Sequence, residues 1–332
     1  MWKDEFNKLY FGETNHERDI LGALSLKHEN FPKSLFKYTK AEHAISSFSN
    51  ENNYIKVSIA SEANDPFEGD LFFDYGLLSS SYKEDLLIKQ LNDPIFNLTK
   101  DDKEIIFNDN NPLEKLIEIL YINKFGGSEG LTFEEFKKRF KEVYSEFEHY
   151  SVINFNNELK KQIIFVSLSE SNNIVPLWAH YADDHKGVCI EYDLSLNDFP
   201  FEEPCFPINY VEHADYTEEI NQLHNDNRNK LKILEEPFLK KSIDWSYEKE
   251  WRVLIDKTRL KSTINILHDS KIIKNEGKLC FIKFPKPTSV FLGLKISKED
   301  EIKIKEICHK RDINVYKMVK DESEYNLNYV KI

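Results

Sequence analysis

The stretch of sequence that decides the fold is FVSLSESNNIVPLWAHYADDHKGVCIEYD, residues 165–193. It opens with an apolar strand pattern that contains Ser167 and Ser169, continues through an aromatic and acidic segment with two histidines, and ends in a second apolar strand pattern. Because side chains alternate between the faces of a strand, both serines share one face while Val166 and Leu168 face the core. Two strands joined by a polar segment indicate a binding or catalytic site.

The composition is that of a globular protein. The chain has 332 residues, of which 40% are hydrophobic and 31% charged, which is enough for a full apolar core. The net charge of -13 argues against a protein that coats nucleic acid, because that binding depends on Lys and Arg neutralising phosphates. Only 10 residues are glycine, and the sequence contains neither the GxGxxG nor the GxxxxGK phosphate-binding pattern.

Cysteine usage and hydropathy predict the compartment. Four scattered cysteines without a CxxC spacing are typical of buried thiols in a reducing environment. The N-terminal residues lack the pattern of a secretion signal, and no apolar run approaches the roughly 18 residues that cross a membrane. We therefore expect a cytoplasmic protein without a membrane partner.

Apolar alternation predicts strands on both sides of the deciding stretch. The predicted strands are 35–39, 54–60, 163–169, 188–193, 251–255, 279–284, 290–294 and 313–318. Helical spacing predicts helices within 1–33, over 41–48, over 218–242 with an interruption near Pro237, and over 297–311 with Ser297 as its cap. The strand at 290–294, the helix at 297–311 and the strand at 313–318 form a β-α-β crossover, which should be right-handed and join parallel strands.

The middle of the chain has a helical character. Thr132 and Glu135 have the spacing of a capping box, and Phe136, Phe140 and Phe147 recur after it at helical intervals. A capped helix with an aromatic face is typical of a lid or packing module.

The elements together predict a single α+β domain over residues 1–332. Its core is a mixed β-sheet formed by 34–75 and 161–332 with flanking helices. Residues 76–160 are a helical insertion.

A third polar pattern is YEKEWRVLI, residues 247–255. Strand geometry puts Glu248, Glu250 and Arg252 on one face and the apolar residues on the other. Two carboxylates on one face make ionisation costly unless a cation such as Arg252 relieves it, which suits acid/base or charge-stabilising roles. The alternative is a solvated strand face with an ordinary ion pair.

The segment 178–185 offers histidines and carboxylates, the ligand types that bind divalent metals. The spacing matches no strong metal signature, and HExxH is absent. The alternative is a packed helix that ends at an aspartate. The residues of a metal-dependent nuclease or phosphoesterase would be His180, Asp183, Asp184, His185, Asp65 and Glu68.

Three blocks of sequence resemble the bacterial domain-of-unknown-function family 2971. They are NDPFE at 64–68, LWAHYA with HKGVCIEY at 177–192, and WSYEKEWR at 245–252. The resemblance extends from about Leu35 to the C-terminus, apart from the helical insertion. The family name implies no activity.

A second resemblance, to ADP-ribosyltransferases, implies one. These enzymes place a His or Arg on a first strand, a Ser-x-Ser on a second, and a Glu-x-Glu or a single Glu on a third. The chain presents 37–39, 167–169 and 248–250 in that order. Lys37 departs from the first motif, because it is neither an imidazole nor a guanidinium. The resemblance implies a split β-sheet core, NAD as a substrate, and a role as a toxin or phage-defence effector.

The chemistry gives each carboxylate a role. Breaking the bond between nicotinamide and ribose develops oxocarbenium-like positive charge, which a fixed carboxylate stabilises. We expect Glu250 to hold the ribose hydroxyl and the developing charge, Glu248 to position or deprotonate the acceptor, and Ser167 to orient Glu250.

The remaining members of the predicted site bind NAD. Tyr38 and Tyr181 stack on the nicotinamide, and Lys37 or Arg252 neutralises the pyrophosphate. The predicted NAD-binding set is Lys37, Tyr38, Thr39, Ser169, Tyr181 and Arg252.

Three hypotheses therefore compete. The first is an NAD-consuming ADP-ribosyltransferase-like enzyme that modifies a nucleic acid or a protein or hydrolyses NAD, with a partner protein or a second copy of the chain as further partner. The second is the metal-dependent nuclease or phosphoesterase. The third is a non-catalytic binding or sensing module whose polar groups specify the fold. The first requires Lys37, Ser167 and Glu250 to share one cleft.

Overall fold

The computed structural model covers two compact units. The described residues are 2–12, 18–48, 53–79, 82–83, 87–88, 90–125, 130–193, 205–222, 232–256, 273–275 and 278–332. The first unit comprises Met1–Asp70, Leu159–His213 and Glu235–Ile332, and the second comprises Leu71–Glu158 and Ala214–Leu234. The expectation of a single domain with an insertion over 76–160 stays a prediction.

All strands of the described residues lie in the first unit. In chain order they are β1 (Ser34–Thr39), β2 (Tyr54–Lys56), β3 (Ser58–Ile59), β4 (Ile163–Ser169), β5 (Val188–Asp193), β6 (Cys205–Pro207), β7 (Asn209–Val211), β8 (Lys240–Ser242), β9 (Glu250–Asp256), β10 (Ile273–Asn275), β11 (Lys278–Lys283), β12 (Ser289–Leu292), β13 (Asn314–Lys320) and β14 (Leu327–Lys331).

The helices are divided between the units. In chain order they are α1 (Trp2–Phe11), α2 (Ile20–Glu29), α3 (Ala41–Phe48), α4 (Lys100–Phe107), α5 (Pro112–Phe125), α6 (Phe133–Gln162), α7 (Val175–His180), α8 (Thr217–Asn221) and α9 (Lys298–Lys310). Short 3-10 helices occur at Ala60–Glu62, Tyr75–Leu77, Pro94–Phe96, Glu236–Leu239 and Ile243–Glu248. The predicted Ser297 cap of α9 is confirmed, since its side chain accepts from the backbone N–H of Asp300.

A nine-stranded sheet forms the centre of the first unit. Its order is β14-β13-β12-β5-β1-β4-β9-β6, and β3 also pairs with β4. β12 and β13 are parallel, as the predicted crossover requires. A three-stranded sheet, β10-β11-β2, and a parallel pair, β7 with β8, lie beside it. The fold is mixed α/β with an open mixed sheet, which confirms the predicted mixed sheet with flanking helices.

Strand alternation separates an apolar face from a polar face on β4 and β9. Val166 and Val253 belong to the main buried cluster, where α3 and α9 also contribute side chains. On the alternate positions, Ser167 lies opposite Arg252 and Ser169 opposite Glu250 in the antiparallel ladder. The shared face predicted for the two serines is therefore confirmed, and it faces the polar residues of β9.

The two central strands β1 and β4 pair at a single point. Phe36 pairs with Ser169, whereas β4 pairs with β9 from Ile163 to Ser169. Beyond that point, the Nζ of Lys37 donates to the carbonyl oxygen of Ser167 at 3.1 Å. A side chain of β1 thus meets the backbone of β4 where the ladder between the strands is open.

The second unit is helical. The hydroxyl of Thr132 accepts from the Glu135 N–H at 3.3 Å, and the Glu135 carboxylate accepts from the Thr132 N–H at 2.9 Å, which confirms the predicted capping box. The rings of Phe140 and Tyr144 stack at 5.6 Å within α6. In the described part of the chain, no helix has the length and apolarity that crossing a bilayer requires.

Two predicted elements differ from the structure. Residues 54–60 are not one strand, because β2 joins the sheet of β11 while β3 pairs with β4. The helix predicted over 218–242 is confirmed in part: 218–221 lie in α8 and 232–235 are helical, whereas 240–242 form β8. Pro237 lacks a backbone donor and restricts the residue before it, which explains the 3-10 turn at that point. Residues 223–231 of that prediction lie outside the described residues.

Candidate functional site

A cleft of about 170 Å³ lies in the first unit, next to the point where β1 and β4 pair. Strands β1, β4 and β9 line it together with the segment 62–68 and the start of β8. Among the predicted site residues, Thr39 does not line the cleft; its hydroxyl lies 3.4 Å from the ring of His43. The predicted residues that do line it are Lys37, Tyr38, Ser167, Ser169, Tyr181, Glu248, Glu250 and Arg252.

Glu250 is held on all sides by donors. Its carboxylate accepts from Nε of Arg252 at 2.7 Å, from Nη2 of Arg252 at 3.1 Å and from Nζ of Lys241 at 3.3 Å. The Ser167 side chain supplies a further hydrogen bond, as predicted. A carboxylate offers about four acceptor positions, so these donors occupy them. Glu250 is therefore a fixed charge.

Arg252 is the centre of the buried ion network and is 1% exposed. It binds Glu68 through both terminal nitrogens, at 2.5 Å and 2.8 Å, and donates to the carbonyl oxygen of Phe238 at 2.6 Å. Its guanidinium lies 4.2 Å from the ring centroid of Phe165. These contacts and those to Glu250 occupy all the N–H donors of the guanidinium. Arg252 is thereby fixed in place and positions Glu250.

Glu248 accepts from fewer donors than Glu250. It accepts from the Tyr181 hydroxyl at 2.9 Å and from Nζ of Lys241 at 2.6 Å. Among the described residues, these two donors are the hydrogen-bond partners of its carboxylate, which leaves acceptor positions toward the cleft. Lys241 also lies 4.7 Å from the ring centroid of Trp245.

The two neighbouring carboxylates have pKa values shifted in opposite directions. Burial alone would raise the pKa of Glu250, but the charges of Arg252 and Lys241 outweigh it and hold the pKa well below its usual range. Burial, together with the charge of Glu250, raises the pKa of Glu248. Such a pair supplies one permanent charge and one group suited to proton transfer.

The backbone conformation that places Glu248 near Glu250 differs from the predicted one. The sequence pattern predicts that both lie on one strand, whereas β9 begins at Glu250 and Glu248 ends the preceding 3-10 helix. Lys249 between them has a left-handed backbone, with φ of 47°. This turn, not strand alternation, brings the two carboxylates to the same ammonium of Lys241.

The hydroxyl groups of two predicted NAD-binding side chains form hydrogen bonds with the protein backbone. Ser169 donates to the backbone oxygen of Glu248 at 2.7 Å. The Tyr38 hydroxyl donates to the Ser171 carbonyl oxygen at 2.9 Å and accepts from the Ile174 N–H at 3.2 Å. The ring of Tyr38 still lines the cleft. Contacts of either residue with NAD stay predictions.

The histidine and aspartate segment is a turn packed on an aromatic ring. Asp183, Asp184 and His185 follow one another with left-handed backbones, φ 49°, 51° and 69°. The His185 ring stacks on Trp178, with centroids 6.2 Å apart and planes 7° apart. Within the described ranges, no group of three His, Cys, Asp or Glu side chains is arranged to hold a metal ion. The packed-helix interpretation therefore describes the segment better.

Two site residues were missing from the predicted ion network. Glu68 belongs to the NDPFE block at 64–68, but the sequence does not show that it meets Arg252, which is distant in the chain. Lys241 fell within the helix predicted over 218–242, whereas it lies on β8, which pairs with β7.

The comparisons with known proteins agree with one resemblance. Residues 177–253 match the model of a family described as "Protein of unknown function (DUF2971)", which supports that family. The matched range contains the second and third sequence blocks. No curated protein and no solved structure matches the chain.

Proposed function

We propose that the protein consumes NAD, cleaving the bond between nicotinamide and ribose and passing ADP-ribose to an acceptor, as ADP-ribosyltransferases do. The observation that carries this proposal is the convergence of Lys37, Ser167 and Glu250 on one cleft. They come from β1, β4 and β9, adjacent in the sheet and in the chain order of the resembling motifs. The opening between β1 and β4 is consistent with a split sheet.

The electrostatics of the cleft suit the reaction. The loss of nicotinamide develops positive charge on the ribose, and Glu250 supplies a buried negative charge that stays ionised. Because the carboxylate is already fixed by its donors, little reorganisation is needed as the charge develops. Glu248 has free acceptor positions and a raised pKa, so it is the group that contacts a hydroxyl and removes the acceptor's proton.

The size of the cleft limits how NAD binds. Sites for whole drug-sized ligands measure about 300–1,000 Å³, whereas this cleft measures about 170 Å³. The enclosed part therefore accommodates the nicotinamide end, with Tyr38 and Tyr181 as ring contacts, and the adenosine end lies outside it. Arg252 is buried in its own ion pairs, so Lys37 is the cation available to the pyrophosphate.

Nicotinamide release tests the proposal directly. Purified protein incubated with NAD should release nicotinamide, measured by chromatography. Glu250→Gln should reduce the rate by about 100-fold, because it removes the main stabilising charge. Glu299→Gln, an exposed change on α9, is the matched control and should leave the rate unchanged. Release equal to that of buffer would refute the proposal, and undiminished release in folded Glu250→Gln would refute the role of that residue.

The acceptor and the biological setting belong to the same proposal. ADP-ribose transferred to a nucleic acid or a protein would inactivate the target, as a toxin or phage-defence effector does. NAD labelled on the adenine ring distinguishes the outcomes, because label retained on a macromolecule means transfer and free ADP-ribose means hydrolysis.

The saturated ion network favours a second candidate, a non-catalytic binding module. A buried network whose members are all paired can fix one arrangement of the core. In that case Glu250→Gln and Ser167→Ala should both lower the melting temperature while ligand binding to the folded protein and every cellular phenotype stay intact.

A further inference from the structure

The ammonium of Lys37 has few hydrogen-bond partners for a part-buried charge. An ammonium has three donors, but in the described part of the chain Lys37 makes a single hydrogen bond, to the Ser167 carbonyl oxygen at 3.1 Å. None of the described carboxylates lies within ion-pair distance of it. Its place at the opening between β1 and β4 directs the amine to the cleft.

Two carboxylates of the cleft, Glu248 and Glu250, are engaged by cations other than Lys37. Arg252 and Lys241 bind Glu250, and Lys241 also binds Glu248. Burial lowers the pKa of Lys37 to about 8 against the opposing charge of Glu250, and the charges of Lys56 and Arg252 contribute to the decrease. A neutral lysine amine is a nucleophile, and desolvation is the usual way in which proteins produce one.

We propose that Lys37 is a covalent capture site for a small polyhydroxy aldehyde or ketone, which it binds as an imine. The cleft is of a size for a small molecule, about 170 Å³. Its lining includes hydrogen-bonding groups suited to hydroxyls, from Ser58, Asn64 and Ser167. This activity does not depend on NAD consumption.

The covalent step balances with the groups present. The lone pair of Lys37 Nζ forms a bond to the carbonyl carbon, the C=O π pair moves to oxygen, and one amine proton moves to that oxygen. The second nitrogen proton moves to the resulting hydroxyl, which leaves as water with the C–O bond pair. The electron pair left on nitrogen forms the C=N bond. The products are one imine and one water.

Reductive trapping tests this site. The full chain is treated briefly at pH 7.5 with glyceraldehyde and cyanoborohydride, and labelled lysines are identified by peptide mass spectrometry. An ordinary lysine has a pKa of about 10.4, so far less of it is neutral at this pH. We expect Lys37 to be labelled at least about tenfold faster than the exposed Lys298 and Lys310, with a labelling midpoint near pH 8.

Two controls make the outcome decisive. Hexanal, which lacks hydroxyls, should label Lys37 more slowly than the hydroxylated aldehyde does when each rate is divided by the rate at Lys298. Lys37→Arg should abolish the fast label without changing that of Lys298. Slow labelling of Lys37, or equal preference for hexanal, would overturn the proposed site. Nicotinamide release is not measured in this assay, so failure of the NAD proposal leaves the result unaffected.

Discussion

At the scale of single residues, the cleft contains two kinds of cation: Arg252 and Lys241 form ion pairs, whereas Lys37 forms none with the described carboxylates. Arg252 satisfies Glu68 and Glu250 together, and Lys241 joins Glu250 to Glu248. Breaking a buried ion pair on one side leaves the other charge without compensation, which costs more than the pair itself contributes. Each residue of the network is therefore more sensitive to substitution than a surface charge.

Glu68 provides a test of this sensitivity. Glu68→Gln removes the carboxylate that binds both terminal nitrogens of Arg252, and we expect the free energy of unfolding to fall by about 3–5 kcal/mol. Urea unfolding monitored by tryptophan fluorescence measures the change. Glu299→Gln removes a carboxylate from an exposed pair with Lys303 and should unfold at the same urea concentration as the wild type. A Glu68→Gln protein as stable as this control would contradict the network.

Lys37 should give the protein a distinct pH dependence. Its folded pKa of about 8 is below that of an unfolded lysine, so the unfolded chain binds more protons between these values and stability rises with pH there. The cost of the buried charge is fully present below about pH 8 and disappears toward pH 10.5. In Lys37→Met this cost is absent. We therefore expect the free energy of unfolding of the variant, measured relative to wild type, to be roughly 3 kcal/mol higher at pH 7 than at pH 10.5.

Urea unfolding of both proteins at several pH values measures this difference. The comparison cancels the titration of every other group, which both proteins share. Lys298→Met, a change at an exposed lysine on α9, should follow the wild-type profile throughout. A constant difference between Lys37→Met and wild type across the range would contradict the lowered pKa.

At the scale of elements, the turn at Lys249 determines where Glu248 lies. A backbone φ of 47° is possible for Lys but disfavoured for β-branched residues, whose Cβ substituents crowd the backbone. We expect Lys249→Val to lose roughly 1–2 kcal/mol of stability and to reduce nicotinamide release, while Lys249→Gly retains both. Lys283→Val in β11 is the matched control, because a β-branched residue suits a strand. Equal behaviour of the Val and Gly variants at 249 would contradict this role.

The elements also show what the sequence can predict. The sequence of β4 correctly predicts which side chains lie on each face of the strand, because apolar alternation depends on neighbours close in the chain and on one buried surface. The same rule failed at Glu248, where a left-handed turn replaced the expected strand. The helix predicted over 218–242 failed beyond the interruption near Pro237, where the chain enters β8. Such turns depend on tertiary pairing, which local spacing does not encode.

At the scale of the whole molecule, long-range pairings assemble the site. Lys37, Glu68, Ser167 and Glu250 are far apart in the sequence, and the order β1-β4-β9 brings three of them together. The ADP-ribosyltransferase hypothesis requires Lys37, Ser167 and Glu250 to share one cleft, and all three residues line it. Glu68 and Lys241 were missing because they arrive on a loop and a short strand, whose position depends on the completed sheet.

The sheet that assembles the site should also be the most stable part of the chain. Strands β4 and β5 are buried along almost their whole length, so their amides should exchange with solvent only through global unfolding. Helix α4 is mostly exposed, with Ile106 as its buried residue, and should exchange through local opening about 100-fold faster or more. Helix α9 is the matched control, since it packs Ile304 and Cys308 into the sheet core and should exchange more slowly than α4. Hydrogen exchange followed by mass spectrometry resolves these segments, and equal rates in β4 and α4 would mean that the sheet does not form the stable centre.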